Sequence, residues 1–300
     1  MIDLLTSPLM QRALIAALLV GASAPIVGTY LVQRRLALLG DGIGHIALTG
    51  VAAGWLAGAL VGLTPADTLA LPGAMVVAVL GAVGIEWVRA TGRVTGDVAL
   101  AILFYGGIAG GVLLMKIAGG TSANLMSYLF GSIATVSATD VGWTAVLAGV
   151  VLVVGVGLRG PLFAVSHDEE FARASGLPVH LLSSVIAALA ALTVTVAMRV
   201  VGLLLVSALM IVPVATAQLV ARSFTRTMAL AGGIGVVGSV TGLVITYWHD
   251  LPPGALIVVL AIGLYLLVMA VRHRPLARAG DPHPDLDDDV QVTEEDTCSA

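Results

Sequence analysis

Cysteine occurs once in this chain, at Cys298, and lysine once, at Lys116. A lone cysteine in a polar tail excludes a disulfide framework and a thiolate metal site. Lys116 is not preceded by glycine and no G-x-x-x-x-G-K-[ST] stretch occurs, so the chain has no phosphate-binding P-loop of its own. H-E-x-x-H is missing too, which argues against an intramembrane zinc protease. No paired acidic motif or nucleophile–base set lies at matched depth, so an enzyme has little support. Inverted halves are not evident, which disfavours a secondary transporter built from such repeats.

Charge is also scarce. Asp, Glu, Lys and Arg make up 11% of the 300 residues, against 58% hydrophobic ones, and mean hydropathy is +1.04. A bilayer core about 30 Å thick takes roughly 20 apolar residues per helix, and long unbroken apolar runs are not the alternating segments of a β-barrel. The composition therefore predicts an all-α, polytopic membrane protein. Apolar runs place spans near 9–32, 38–63, 69–88, 97–117, 139–159, 179–198, 200–219, 228–248 and 253–272. That makes about nine, with eight possible, because Pro213 interrupts the seventh and a membrane helix tolerates such a break only when neighbours satisfy the freed backbone. Residues 1–12 lack a basic n-region, so the first run reads as a retained span, not a cleaved signal.

The net charge of −4 misleads, since eight of the 18 acids lie after Arg278, in "AGDPHPDLDDDVQVTEEDTCSA". The expected organisation is a transmembrane domain over 1–278 and a disordered acidic tail over 279–300. Placing the 159–178 loop in the cytoplasm puts eleven of the 14 basic residues inside and leaves Arg12, Lys116 and Arg199 outside. That bias predicts an external N-terminus and a cytoplasmic tail.

Within the second span, Asp41 and His45 are bracketed by Gly40, Gly42 and Gly44. Residues four apart share a helix face, and Thr49 continues it by one turn. An ionisable group in hydrocarbon faces a bundle interior or an aqueous path, and carboxylate with imidazole suits a divalent first-row metal. A capping aspartate beside a histidine satisfied by a carbonyl would also fit the spacing. The one long polar segment between spans, "HDEEFARASGLPV" at 167–179, predicts a short amphipathic helix through Phe171 and Ala172, ended at Gly176. It suits docking to a cytoplasmic partner, or is an ordinary surface loop. His249 and Asp250, before a Pro-Pro-Gly turn, are candidates to meet an arriving metal or delivery protein, or are loop residues.

Taken in order, "RRLALLGDGIGHIALTGVA", "GDVALAILF", "LMSYLFGSI", "SHDEEFARASGL", "RVVGLLLVSALMIVPVATA" and "DLPPGALIV" resemble the permease subunits of bacterial ABC importers for zinc, manganese or related metals. The likeness spans roughly residues 15 to 272. It departs from the usual wording at Gly44, where serine or alanine is common, and at Thr49, near a common proline. The resemblance implies an ABC importer permease fold of the vitamin B12 or metal-chelate type, in the bacterial cell membrane. The partners it implies are a second copy of the chain, a separate cytoplasmic ABC ATPase that uses the ATP, and an extracytoplasmic metal-binding protein. Membrane lipid surrounds the assembly, and nucleic acid has no part in it.

By the same resemblance, Asp41, His45 and Thr49 line the translocation path. Asp168, Glu169, Glu170, Phe171, Ala172, Arg173 and Gly176 form the helix that couples to the ATPase; "EFARASG" fits E-A-A-x-x-x-G except at Phe171. No cofactor is expected to be held permanently. Zn2+ or Mn2+ is the substrate, zinc narrowly ahead of manganese or iron. The rival readings are an ABC permease for a chelate or vitamin, and an ion-gradient-driven transporter in which Asp41 and His45 relay protons.

Overall fold

The computed structural model describes residues 7–91, 95–131, 137–198, 201–249 and 251–272. The acidic tail, Arg93, Arg199 and Asp250 lie outside the described residues. Every predicted apolar run becomes a helix: α1 (Pro8–Gln33), α2 (Leu39–Val61), α3 (Ala70–Ala90), α4 (Gly96–Ile117), α6 (Ala138–Gly157), α9 (Val179–Ala197), α10 (Leu203–Val220), α11 (Phe224–Trp248) and α12 (Pro253–Arg272). Among the described residues, eight of these are long and apolar enough to cross a bilayer. The shorter one is α10, the run expected to be short or broken. With 18 residues it reaches about 27 Å at 1.5 Å per residue, and it holds Pro213 in its interior. Three short α-helices, α5 (Ser122–Phe130), α7 (Arg159–His167) and α8 (Glu169–Ala174), and a 3-10 turn at Ala66–Leu69 complete the described set.

Helix is the form that satisfies every backbone group within one segment, which an apolar surrounding demands. The ends use local chemistry. Ser137 and Asp140 form a reciprocal capping box on α6, and Ser223 accepts from the Arg226 amide to start α11 four residues before its apolar run. The α2 helix stops at Gly62, whose φ of 75° lies where a Cβ would clash.

The most buried helix is α1. It packs against α6, α9, α10 and α11, while α2 packs against α3 and α4. Close approach rests on small residues. Pro25 cannot donate to the Gly21 carbonyl, and that carbonyl lies against Gly235 of α11, where a Cβ would come within 2.3 Å of it. Outward faces of α4 and α12 expose Ile102, Leu113, Val259 and Leu267, an apolar surface suited to lipid. Gln33, Arg34 and Arg35 gather with Glu86, Arg89, His167 and Glu169, and Arg222 lies in the same region. Four of the five Arg-bearing segments that the charge bias placed on one side therefore share one end of the bundle.

Candidate metal path and coupling helix

Asp41 sits in the first turn of α2, where the helix dipole favours a carboxylate. Ser207, on α10, directs its hydroxyl to Asp41 Oδ1 in a long contact of 3.4 Å. One turn on, His45 is only 4% exposed. Its ring meets Phe104 of α4 edge-on, with centroids 4.4 Å apart, and its buried Nδ1 has no hydrogen-bond partner among the described residues. No carbonyl among the described residues accepts from that nitrogen. A buried polar atom without a partner is costly in a finished structure.

Thr49 continues the face, but its hydroxyl donates to the Gly107 carbonyl of α4 at 2.8 Å. This ties α2 to α4 directly beside His45. Gly107 is small of necessity: a Cβ there would lie 2.5 Å from the His45 carbonyl carbon. Among the described residues, no group of three or more His, Cys, Asp or Glu side chains is placed to hold a metal ion. One copy of the chain thus presents two metal-type donors, Asp41 and His45, with the Ser207 hydroxyl beside the first.

At the charged end, Asp168 caps α8, its Oδ1 accepting from the amides of Glu170 and Phe171 at 2.9 Å each. The helix ends at Ser175, and Gly176 follows at φ 79°. The short glycine-ended helix is therefore present. Ala172 is buried, whereas Phe171 is 66% exposed, an apolar ring facing away from the bundle. Glu170 and Arg173 are exposed as well. Glu169 turns the other way, to Arg34 of the α1–α2 link at 2.5 Å. His249 ends α11 as an exposed residue beside Trp248; its intended partner, Asp250, lies outside the described residues.

Sequence reasoning missed Ser207, Phe104, Arg34 and Glu86. Ser207 was a lone hydroxyl in an apolar run, and Glu86 a lone acid near the end of one. Both are the kind of residue that marks a polar neighbour in a membrane bundle.

A bundle of membrane-length helices, with an aspartate and a histidine on an inner helix and a short capped helix at one end, fits a membrane permease of the ABC importer type. The chain matches the ABC 3 transport family over residues 6–272 and belongs to it. Among curated proteins it is 33% identical to the manganese transport system membrane protein MntC of Halalkalibacterium halodurans, over 88% of each chain. It is 32% identical to the manganese import system permease protein ScaB of Streptococcus parasanguinis, over 86% of this chain and 89% of that one. The chelated iron transport system membrane protein YfeD of Yersinia pestis is 31% identical over 92% of each. Among solved structures, PsaBC from Streptococcus pneumoniae, in complex with Fab, aligns with a TM-score of 0.79 at 32% identity, over 89% of this chain and 94% of that one. An inward-facing structure assigned to the metal-chelate type of ABC transporter aligns at 0.62 and 16% identity, covering 89% and 90%, a likeness of fold alone.

Proposed function

We propose that this chain is the membrane-spanning subunit of an ATP-driven importer of divalent metal ions, in which the ion passes Asp41 and His45. The observation that carries this reading is the buried, unpartnered Nδ1 of His45 one turn from the Asp41 carboxylate. A bilayer supplies no hydration, so an ion in transit needs replacement donors from the protein. Two donors from one copy fall short of the four a first-row metal takes in a tetrahedral site. A homodimer with two copies of α2 facing its axis would bring two carboxylates and two imidazoles to one ion. Binding must remain weak enough to release, so a transient site suits transport better than a closed one.

Carboxylate, imidazole and hydroxyl donors without thiolate suit manganese, ferrous iron and zinc. The residues alone put zinc narrowly first; relatives named for manganese and chelated iron support placing manganese ahead of it. The family, and the missing P-loop, support a separate ATPase whose cleft receives α8 through the exposed Phe171. An extracytoplasmic metal-binding protein would deliver the ion at the opposite end, where His249 stands. This arrangement puts the N-terminus outside and the α8 end in the cytoplasm of a bacterial cell, in line with the arginine bias.

The test is an elemental panel on metal-limited bacterial cells lacking their own uptake system, with and without this permease and its partner subunits. Restored content of manganese, and of no chelate or vitamin, is the expected result. Recovery of zinc alone would reassign the cargo. Uptake that persists without ATP, driven by an ion gradient, would overturn the ABC reading.

A further inference from the structure

Four elements meet at one guanidinium at the α8 end. The Arg34 side chain is 4% exposed. Its Nη2 lies 2.5 Å from Glu169 Oε1 of α8 and 3.6 Å from Glu86 Oε2 of α3, and donates to Ser183 Oγ of α9 at 3.2 Å. Glu86 Oε1 also accepts from Arg89 at 3.0 Å. The Nη1 of Arg34 is buried with no partner among the described residues. The two carboxylates around Arg34 differ: Glu86 is 8% exposed, Glu169 45% exposed. Glu86 is thus a fixed anchor shared by two arginines, and Glu169 a contact that solvent can reach and α8 can carry away.

What Arg34 leads to is the metal path. Arg34 caps the end of α1, and Arg35 follows at φ 57°, a left-handed conformation uncommon outside glycine. The turn is closed by backbone bonds from Leu36 N–H to the Leu31 carbonyl and from Leu39 N–H to the Leu36 carbonyl. It delivers the chain into α2, whose first turn holds Asp41. So tight a turn passes a displacement of Arg34 to the start of α2 and does not absorb it. Beside the ion pair, a cleft of about 720 Å³ between α3, α8 and the start of α9, lined by Trp87, Arg173 and His180 among others, leaves α8 room to shift.

We propose that the Arg34–Glu169 pair is the link through which movement of α8 is passed to α2 and its metal donors. Arg34 and Glu169 are then positioning residues for transport, and neither touches the ion. This inference rests on the reading of α8 as the ATPase-docking helix. Glu169, of all the acids in the docking segment, faces the permease and not the ATPase.

The test uses the permease with its ATPase and delivery protein in lipid vesicles, with manganese as the probe, comparing native, Glu169→Gln and Glu169→Asp. The readout is manganese imported per ATP hydrolysed, together with the amount of ATPase that copurifies. Glu169→Gln is expected to hold the ATPase and hydrolyse ATP within about twofold of native, yet to import at least about fivefold less per ATP. Glu169→Asp keeps the charge and is expected to recover at least half of that ratio. These are the effects of a pair that passes motion at a distance from the ion.

An import ratio within twofold of native for Glu169→Gln overturns the proposal. So does loss of the ATPase from that variant, which would make Glu169 a docking contact. A separate arm cross-links a cysteine at Phe171→Cys, in a Cys298→Ser background, to the ATPase. Its failure removes the reading of α8 itself; its success beside an unchanged ratio removes only the link.

Discussion

Gly106 and Gly107 are neighbours on α4, yet a single added methyl is expected to act oppositely at the two. At Gly107 the new Cβ would lie 2.5 Å from the His45 carbonyl carbon and 2.7 Å from the Ile46 nitrogen; at Gly106 it would meet nothing within 4 Å. The Gly107 contacts are backbone atoms of a packed helix, which cannot swing aside. Restoring an ordinary contact of 3.4 Å requires α2 and α4 to separate locally by about 0.9 Å, the difference from 2.5 Å. That also stretches the 2.8 Å bond from Thr49 to the Gly107 carbonyl. Overpacking costs about 1–3 kcal/mol, and the weakened hydrogen bond about 1 kcal/mol. Replacing a helical glycine by alanine returns about 0.5–1 kcal/mol. Gly107→Ala is therefore expected to lose about 1–3 kcal/mol net, and Gly106→Ala to be neutral or slightly more stable. The assay is thermal unfolding of the two purified variants in the same detergent, followed by tryptophan fluorescence. Equal unfolding temperatures for the two would refute the close α2–α4 contact on which the position of His45 depends.

Other consequences follow from single contacts. Asp168→Ala removes the cap that accepts from the Glu170 and Phe171 amides, a loss of about 1 kcal/mol expected as faster hydrogen exchange confined to 169–174. Glu86→Gln leaves Arg34 and Arg89 short of a buried counter-charge. Its cost of about 3 kcal/mol, the low end because Glu169 still faces Arg34, is expected as a lower unfolding temperature in detergent. Ser207→Ala removes the 3.4 Å contact to Asp41. At about 0.5–1 kcal/mol it is expected to raise the apparent KM for manganese uptake about two- to fivefold with the maximal rate kept. A larger loss of rate would mean that Ser207 holds the ion itself.

Much of this fold is legible in the chain because the membrane leaves it few choices. An apolar run of 20 residues has to be a helix, and all nine runs are. The boundary of α11 was not legible from hydropathy, because Ser223 starts the helix before the apolar residues do. The short helices α5 and α7 carry no span-length signal and were missed. Spacing alone put Asp41 and His45 on one face, since i and i+4 is local geometry. Ser207 was out of reach: it lies 166 residues from Asp41 and meets it only through the packing of α10 on α2. The same holds for Arg34, whose partners Glu86 and Glu169 come from two other helices. The motif around Glu169 was visible, but that its carboxylate points inward while Phe171 points out is a fact of tertiary structure.

The central claim is that the ion passes Asp41 and His45, and the most direct measurement is manganese accumulation by cells carrying native, Asp41→Ala or His45→Ala permease. Membrane levels of the protein and its bound ATPase must be matched. The account predicts that either substitution abolishes accumulation above background. Native-like accumulation by Asp41→Ala, with equal protein in the membrane, would contradict it and return both residues to a role in packing.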